Sequence, residues 1–151
     1  MTMKTTWILV ADEAIARILV YGKSRRLEPV EEITDPDAHA DNAEMRRDAY
    51  GRRAAGGTSG HAPASVTASA GEDPLHQHAE VFARHVAEVI AQAQQHGRFD
   101  SLMVVAPPRF LGLLRKAFAK PVSEAIQFEL DKDFVHFTNE DIQERLGTNL
   151  R

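Results

Sequence analysis

Hydrophobic and polar positions divide the chain into short blocks. Trp7-Ile8-Leu9-Val10-Ala11 is an unbroken apolar run, the pattern of a strand covered on both faces. After the polar turn Asp12-Glu13-Ala14, the stretch Ile15 to Tyr21 is again β-branched and aromatic, so the two runs predict a hairpin. Gly22-Lys23-Ser24 supplies the next turn. Leu27 to Ile33 predicts a third antiparallel strand, which Pro29 and the glutamates Glu28, Glu31 and Glu32 push to a sheet edge.

The pattern then stops. From Thr34 to Pro74 the large aliphatic side chains are Met45 and Val66 alone, and Gly51, Gly56, Gly57, Gly60 and Gly71 fall in the same stretch. A segment with so little apolar area cannot offset its ordering entropy, so residues 34–74 read as a mobile insertion. A loop of this length inside a compact domain points to a functional role or to disorder.

Periodicity resumes at Asp73-Pro74, an N-cap residue followed by proline at the first helical position. Leu75, Ala79, Phe82, Val86, Ile90 and Ala93 form one apolar stripe of a long helix, with Gly97 as its C′ residue. Leu102-Met103-Val104-Val105-Ala106 is a second unbroken run, predicting a central parallel strand reached by the helical crossover. Phe110, Leu111, Leu114, Ala117 and Phe118 mark a second helix that Pro121 closes or interrupts. Ile126, Phe128 and Leu130 alternate with polar residues as a half-exposed strand that ends at Asp131-Lys132-Asp133. Thr138, three positions before Asp141, starts a last helix carrying Ile142 and Leu146, with Gly147 expected to stop it. The predicted fold is α/β: a mixed five-stranded sheet in the ribonuclease-H-like order β-β-β-α-β-α-β-α, with the long flexible loop between strand 3 and helix 1.

Composition narrows the function classes. A chain of 151 residues fits one domain, spanning 1–151, with enough length to bury a core. The formal net charge of −4 means the molecule as a whole does not attract nucleic acid, so any polyanion contact has to be local. The lack of cysteine excludes disulfides, thiolate zinc sites and thiol catalysis. No apolar run reaches membrane-spanning length and the first residues lack a signal-peptide pattern, so the expected location is cytoplasmic, with no membrane partner.

Three stretches resemble one bacterial family. Trp7-Ile8-Leu9-Val10-Ala11-Asp12-Glu13-Ala14-Ile15-Ala16-Arg17-Ile18 is similar to the opening of the host attachment proteins ("protein required for attachment to host cells"). Gly97-Arg98-Phe99-Asp100 with Leu102 to Gly112 (including Ala106-Pro107-Pro108-Arg109-Phe110-Leu111-Gly112) resembles a second block, and Glu129-Leu130-Asp131-Lys132-Asp133-Phe134-Val135-His136 a third. That family in turn looks like the middle, peptidyl-tRNA-hydrolysing domain of class 1 eukaryotic and archaeal release factors. The resemblance implies a catalytic Gly-Gly-Gln loop between the third strand and the first long helix. Gly56 and Gly57 match its glycines, and Thr58 stands where the glutamine would.

The first candidate site is the octet Arg46-Arg47-Asp48-Ala49-Tyr50-Gly51-Arg52-Arg53. Its guanidinium forks match phosphate oxygens, and neighbouring glycines permit close backbone approach. This suits RNA: ribosomal RNA, tRNA or the ribosome. Beside it stands a solvated loop whose arginines pair with Asp41, Glu44 and Asp48. A second candidate is an anion site at Pro108 and Arg109, where a helix begins at the carboxyl end of a central strand; the plainer reading is a first-turn proline and a surface charge.

Asp12, Asp131 and Asp133 are carboxylates of the kind a metal nuclease needs. Turns and strand ends also collect aspartates for local reasons. The histidines, His39, His61, His76, His78, His85, His96 and His136, lack helical zinc spacing and read as surface residues. No metal, cofactor or catalytic residue is predicted. The favoured function is a non-enzymatic, release-factor-like accessory domain binding RNA or the ribosome through Arg46, Arg47, Arg52, Arg53, Gly56, Gly57 and Thr58. The alternatives are a peptidyl-tRNA or other ester hydrolase using Gly56-Gly57-Thr58, and a protein-interaction module affecting host or surface attachment indirectly.

Overall fold

A computed structural model describes residues 4–34 and 74–149. The strands are β1 (Thr6–Ala11), β2 (Ile15–Tyr21), β3 (Leu27–Thr34), β4 (Ser101–Val105) and β5 (Ile126–Leu130). The helices among the described residues are α1 (Pro74–Gln95), α2 (Pro108–Ala117), α3 (Lys120–Ala125) and α4 (Asn139–Asn149). They build one mixed sheet ordered β3-β2-β1-β4-β5. β1 and β2 are antiparallel, as are β2 and β3, whereas β1, β4 and β5 run parallel.

The unbroken apolar runs occupy the strands that the fold covers on both faces. Trp7, Leu9 and Ala11 face α1 and α2, packing with Phe82, Val86, Ile90, Phe110 and Leu114. Ile8 and Val10 face the other way, onto Met103, Val105, Ile142 and Leu146. Alternate side chains of a strand point to opposite faces, so a centre strand between two helical layers has no polar position. β3 lies at an edge as its glutamates predict. Its Pro29, which has no N–H to donate, pairs with Leu19 where the ladder shifts register between Ile18 and Leu19.

Local signals explain most boundaries. Gly97 has φ 69°, and the amides of Gly97 and Arg98 donate to the carbonyls of Gln94 and Ala93, a Schellman end to α1. Phe99 then packs on Trp7 at 5.0 Å between ring centroids, and the Asp100 carboxylate accepts from the Thr5 amide at 2.8 Å, seating the start of β4 beside β1. Thr138 Oγ1 accepts from the Asp141 amide at 3.1 Å, the expected cap of α4.

Two boundaries differ from expectation. Pro121 opens a new helix: α2 ends at Ala117, Phe118 turns to an extended backbone, and α3 starts at Lys120 with the proline in its first turn, where a missing N–H costs nothing. Gly147 does not stop α4, which continues to Asn149. Buried Leu146 anchors that last turn on the sheet, and packing outweighs the modest helix penalty of one glycine.

Strand direction sets which ends meet. β1 and β3 are both antiparallel to β2, so Ala11, Thr34, Val105 and Leu130 all finish at the carboxyl edge of the sheet. The 22-residue α1 leads into β4 at the opposite edge, where Ser101 pairs with Thr6. At roughly 1.5 Å per residue, α1 spans about 33 Å, longer than any strand of the sheet, so its N-terminal half reaches back to the carboxyl edge. The stacking of Phe82 on Phe110, 6.1 Å between centroids, fixes that half of α1 beside the start of α2.

Candidate functional site at the carboxyl edge of the sheet

Asp12 closes the β1–β2 hairpin. Its Oδ1 accepts from the amides of Ala14 and Ile15, both at 2.9 Å, and its own amide donates to the Ile15 carbonyl. These bonds fix the carboxylate and turn Oδ2 outward, 3.6 Å from His136 Nε2. Asp12 is largely covered, at 18% side-chain exposure, while His136 stands free at 77%.

His136 comes from the segment linking β5 to α4, which is held tightly. Phe134 and Val135 are buried on the α4 face of the sheet. The Arg17 guanidinium, on β2, donates to the carbonyls of Val135 at 2.8 Å and Phe137 at 2.7 Å, and to Asn139 Oδ1. Arg145, on α4, lies 4.1 Å from the Phe137 ring centroid and 5.9 Å from that of Phe134. The exposed residues Asp133 and His136 therefore flank a buried pair on an anchored segment. One ligand-type atom from each of Asp12, Asp133 and His136 lies within 4.8 Å of the others, the one such cluster of three or more metal-type side chains among the described residues.

This arrangement revises the expected carboxylate grouping. Asp131 is not in the cluster. The Arg115 guanidinium donates through Nε and Nη2 to Glu129 Oε1 at 2.9 and 2.8 Å. That hydrogen bond and the Glu129 charge, with a smaller contribution from Asp131, raise the Arg115 pKa above its ordinary value. Two residues beyond Asp131, Asp133 lies beside Asp12 instead. His136 is exposed, as expected, yet it joins a cluster that its spacing from the other histidines could not reveal.

Pro108 and Arg109 begin α2 at the same edge, and both are exposed. The Pro107 carbonyl accepts from the Leu111 amide at 2.8 Å, and no side chain caps the helix start. Near the β5 edge a hollow of about 600 Å³ is lined by Arg115, Ser123, Ile126, Gln127, Phe128 and Glu129, whose most prominent charges already pair with each other. Arg46, Arg47, Arg52, Arg53, Gly56, Gly57 and Thr58 lie outside the described residues, as does the whole expected insertion apart from its flanks.

Comparison with known families bears on the whole of this edge. The sequence model described as "protein required for attachment to host cells" matches residues 7–146. The chain belongs to that family. No curated protein matches it. The family match runs from β1 into α4, and so takes in the Asp12 hairpin, the start of α2 and the Asp133–His136 segment. Among the described residues, no helix is long and apolar enough to cross a membrane.

Proposed function

We propose that this host attachment family member is a cytoplasmic, non-enzymatic, release-factor-like accessory domain that binds RNA, free or in the ribosome. Arg46, Arg47, Arg52 and Arg53 contact phosphates, and Gly56, Gly57 and Thr58 let the backbone approach. The observation that supports this reading is topological. Thr34, the last strand residue before the arginine-bearing stretch, finishes at the carboxyl edge of the sheet, the edge that also carries exposed Arg109. A local basic stretch on an otherwise acidic molecule concentrates polyanion contact at one place. Neutralised phosphates release counterions, so four arginine contacts to single-stranded RNA give a log–log salt slope of about −3.

The test is RNA binding by the full chain across a salt series, beside a variant with Arg46, Arg47, Arg52 and Arg53 replaced by Ser. Steep salt dependence that vanishes in the variant supports the reading, and binding unchanged by the substitutions overturns it. Release of peptide from peptidyl-tRNA on ribosomes, lost on Gly57→Val, would make the protein a hydrolase. A reproducible protein partner with no RNA in pull-downs would make it an interaction module.

A further inference from the structure

We propose that Asp12, Asp133 and His136 form a binding site for a divalent transition-metal ion, zinc or manganese in kind. The donor set is one imidazole and two carboxylates, which suits borderline ions; magnesium prefers oxygen alone. Ligand atoms bound to one tetrahedral zinc at about 2.0–2.1 Å lie roughly 3.4 Å apart. His136 Nε2 and Asp12 Oδ2 are 3.6 Å apart, already near that spacing. The full set spans no more than 4.8 Å, and the exposed Asp133 and His136 side chains can close the remaining gap by rotation.

Preorganisation strengthens the case. Asp12 Oδ1 is occupied by two amides, so the carboxylate presents Oδ2 in a fixed direction. The segment bearing Asp133 and His136 is fixed from within by Arg17 and by Arg145 over Phe137. A cation therefore finds its donors on backbones that need not reorder, and it relieves the repulsion between two adjacent carboxylates. Three protein donors leave coordination positions for water or for an oxygen ligand. The site is independent of the arginine stretch and stands or falls separately from RNA binding.

The test uses the full chain, with Mn²⁺ as a relaxation probe in NMR and Zn²⁺ in calorimetry. Mn²⁺ is expected to broaden the resonances of Asp12 and of residues 133–137 first. Asp133→Asn and His136→Gln are each expected to raise the Zn²⁺ Kd at least tenfold while leaving Tm unchanged, because both side chains are exposed. Millimolar Mg²⁺ is expected not to displace Zn²⁺. Broadening centred on His78, His85, His96 or the 35–73 stretch overturns the proposal, as does a Kd within twofold of the parent's in both variants.

Discussion

The guanidinium of Arg17 donates to the backbone carbonyl of Phe137 at 2.7 Å, joining β2 to a segment 120 positions further along the chain. Arg17 lies between Ile15 and Leu19 on the α4 face of its strand, where an apolar side chain would be the ordinary choice. It occupies that place because the incoming segment brings carbonyls with no strand partner, and a planar fork can satisfy several at once. Arg17→Met removes those donors and strands the Val135 and Phe137 carbonyls. The expected loss is about 2 kcal/mol, a fall in Tm of roughly 4–8 °C. Arg17→Lys should fall between the two, since a single ammonium cannot reproduce the fork. Equal Tm values for all three proteins, measured by calorimetry, would show that the fork does not anchor the segment.

The same anchor should be felt at the cation site. Arg17 is not a ligand, yet Arg17→Met frees the segment that carries Asp133 and His136. Zn²⁺ affinity is expected to fall several-fold at a temperature where the variant remains folded. Calorimetric titration of parent and variant measures it, and unchanged affinity would mean that the donors assemble without help from β2.

Three glycines should respond in opposite directions. Gly97, at φ 69°, holds a left-handed conformation that penalises any Cβ, so Gly97→Ala should cost about 1–2 kcal/mol. Gly112 and Gly147 lie within α2 and α4, and a Cβ at either meets nothing within 4 Å. Gly112→Ala and Gly147→Ala should therefore stabilise, each by about 0.5–1 kcal/mol. Urea denaturation of the single variants tests the contrast, and destabilisation by Gly147→Ala would mean that α4 needs flexibility at its end.

Thr138 supplies the first turn of α4 with its side-chain acceptor for the Asp141 amide. Thr138→Ala should cost about 1 kcal/mol, and Thr138→Ser should restore most of it. Leu146 is fully buried on the opposite face of the sheet from α1, so Leu146→Ala should cost about 2–5 kcal/mol through lost burial and a cavity. If the Leu146→Ala loss proved smaller than that of Thr138→Ala, α4 would not be an integral layer of the core.

Much of the scaffold could be read along the chain because its signals are local. An apolar run such as Leu102 to Ala106, the turn at Asp12, the Schellman glycine and the Thr138 cap each act over a few residues, so each can be recognised where it occurs. Helix boundaries were less legible where two local tendencies competed. Pro121 serves equally well as a stop or as a first-turn residue, and the short extended step at Phe118 decided it. Gly147 carries a weak helix penalty that the burial of Leu146 overrode.

The sequence by itself determined the order of the five strands and of three of the four described helices, the edge position of β3, the two-faced burial of β1 and β4, and membership of the host attachment family. Only the tertiary structure decided that His136 stands with Asp12 and Asp133 while Asp131 stays outside that cluster, and that Arg17 is an internal anchor. Hydrophobic periodicity and capping are short-range effects written into neighbouring residues. The meeting of polar side chains from β2, the β1 turn and the segment after β5 depends on strand order, register and direction, which arise only when the whole sheet assembles.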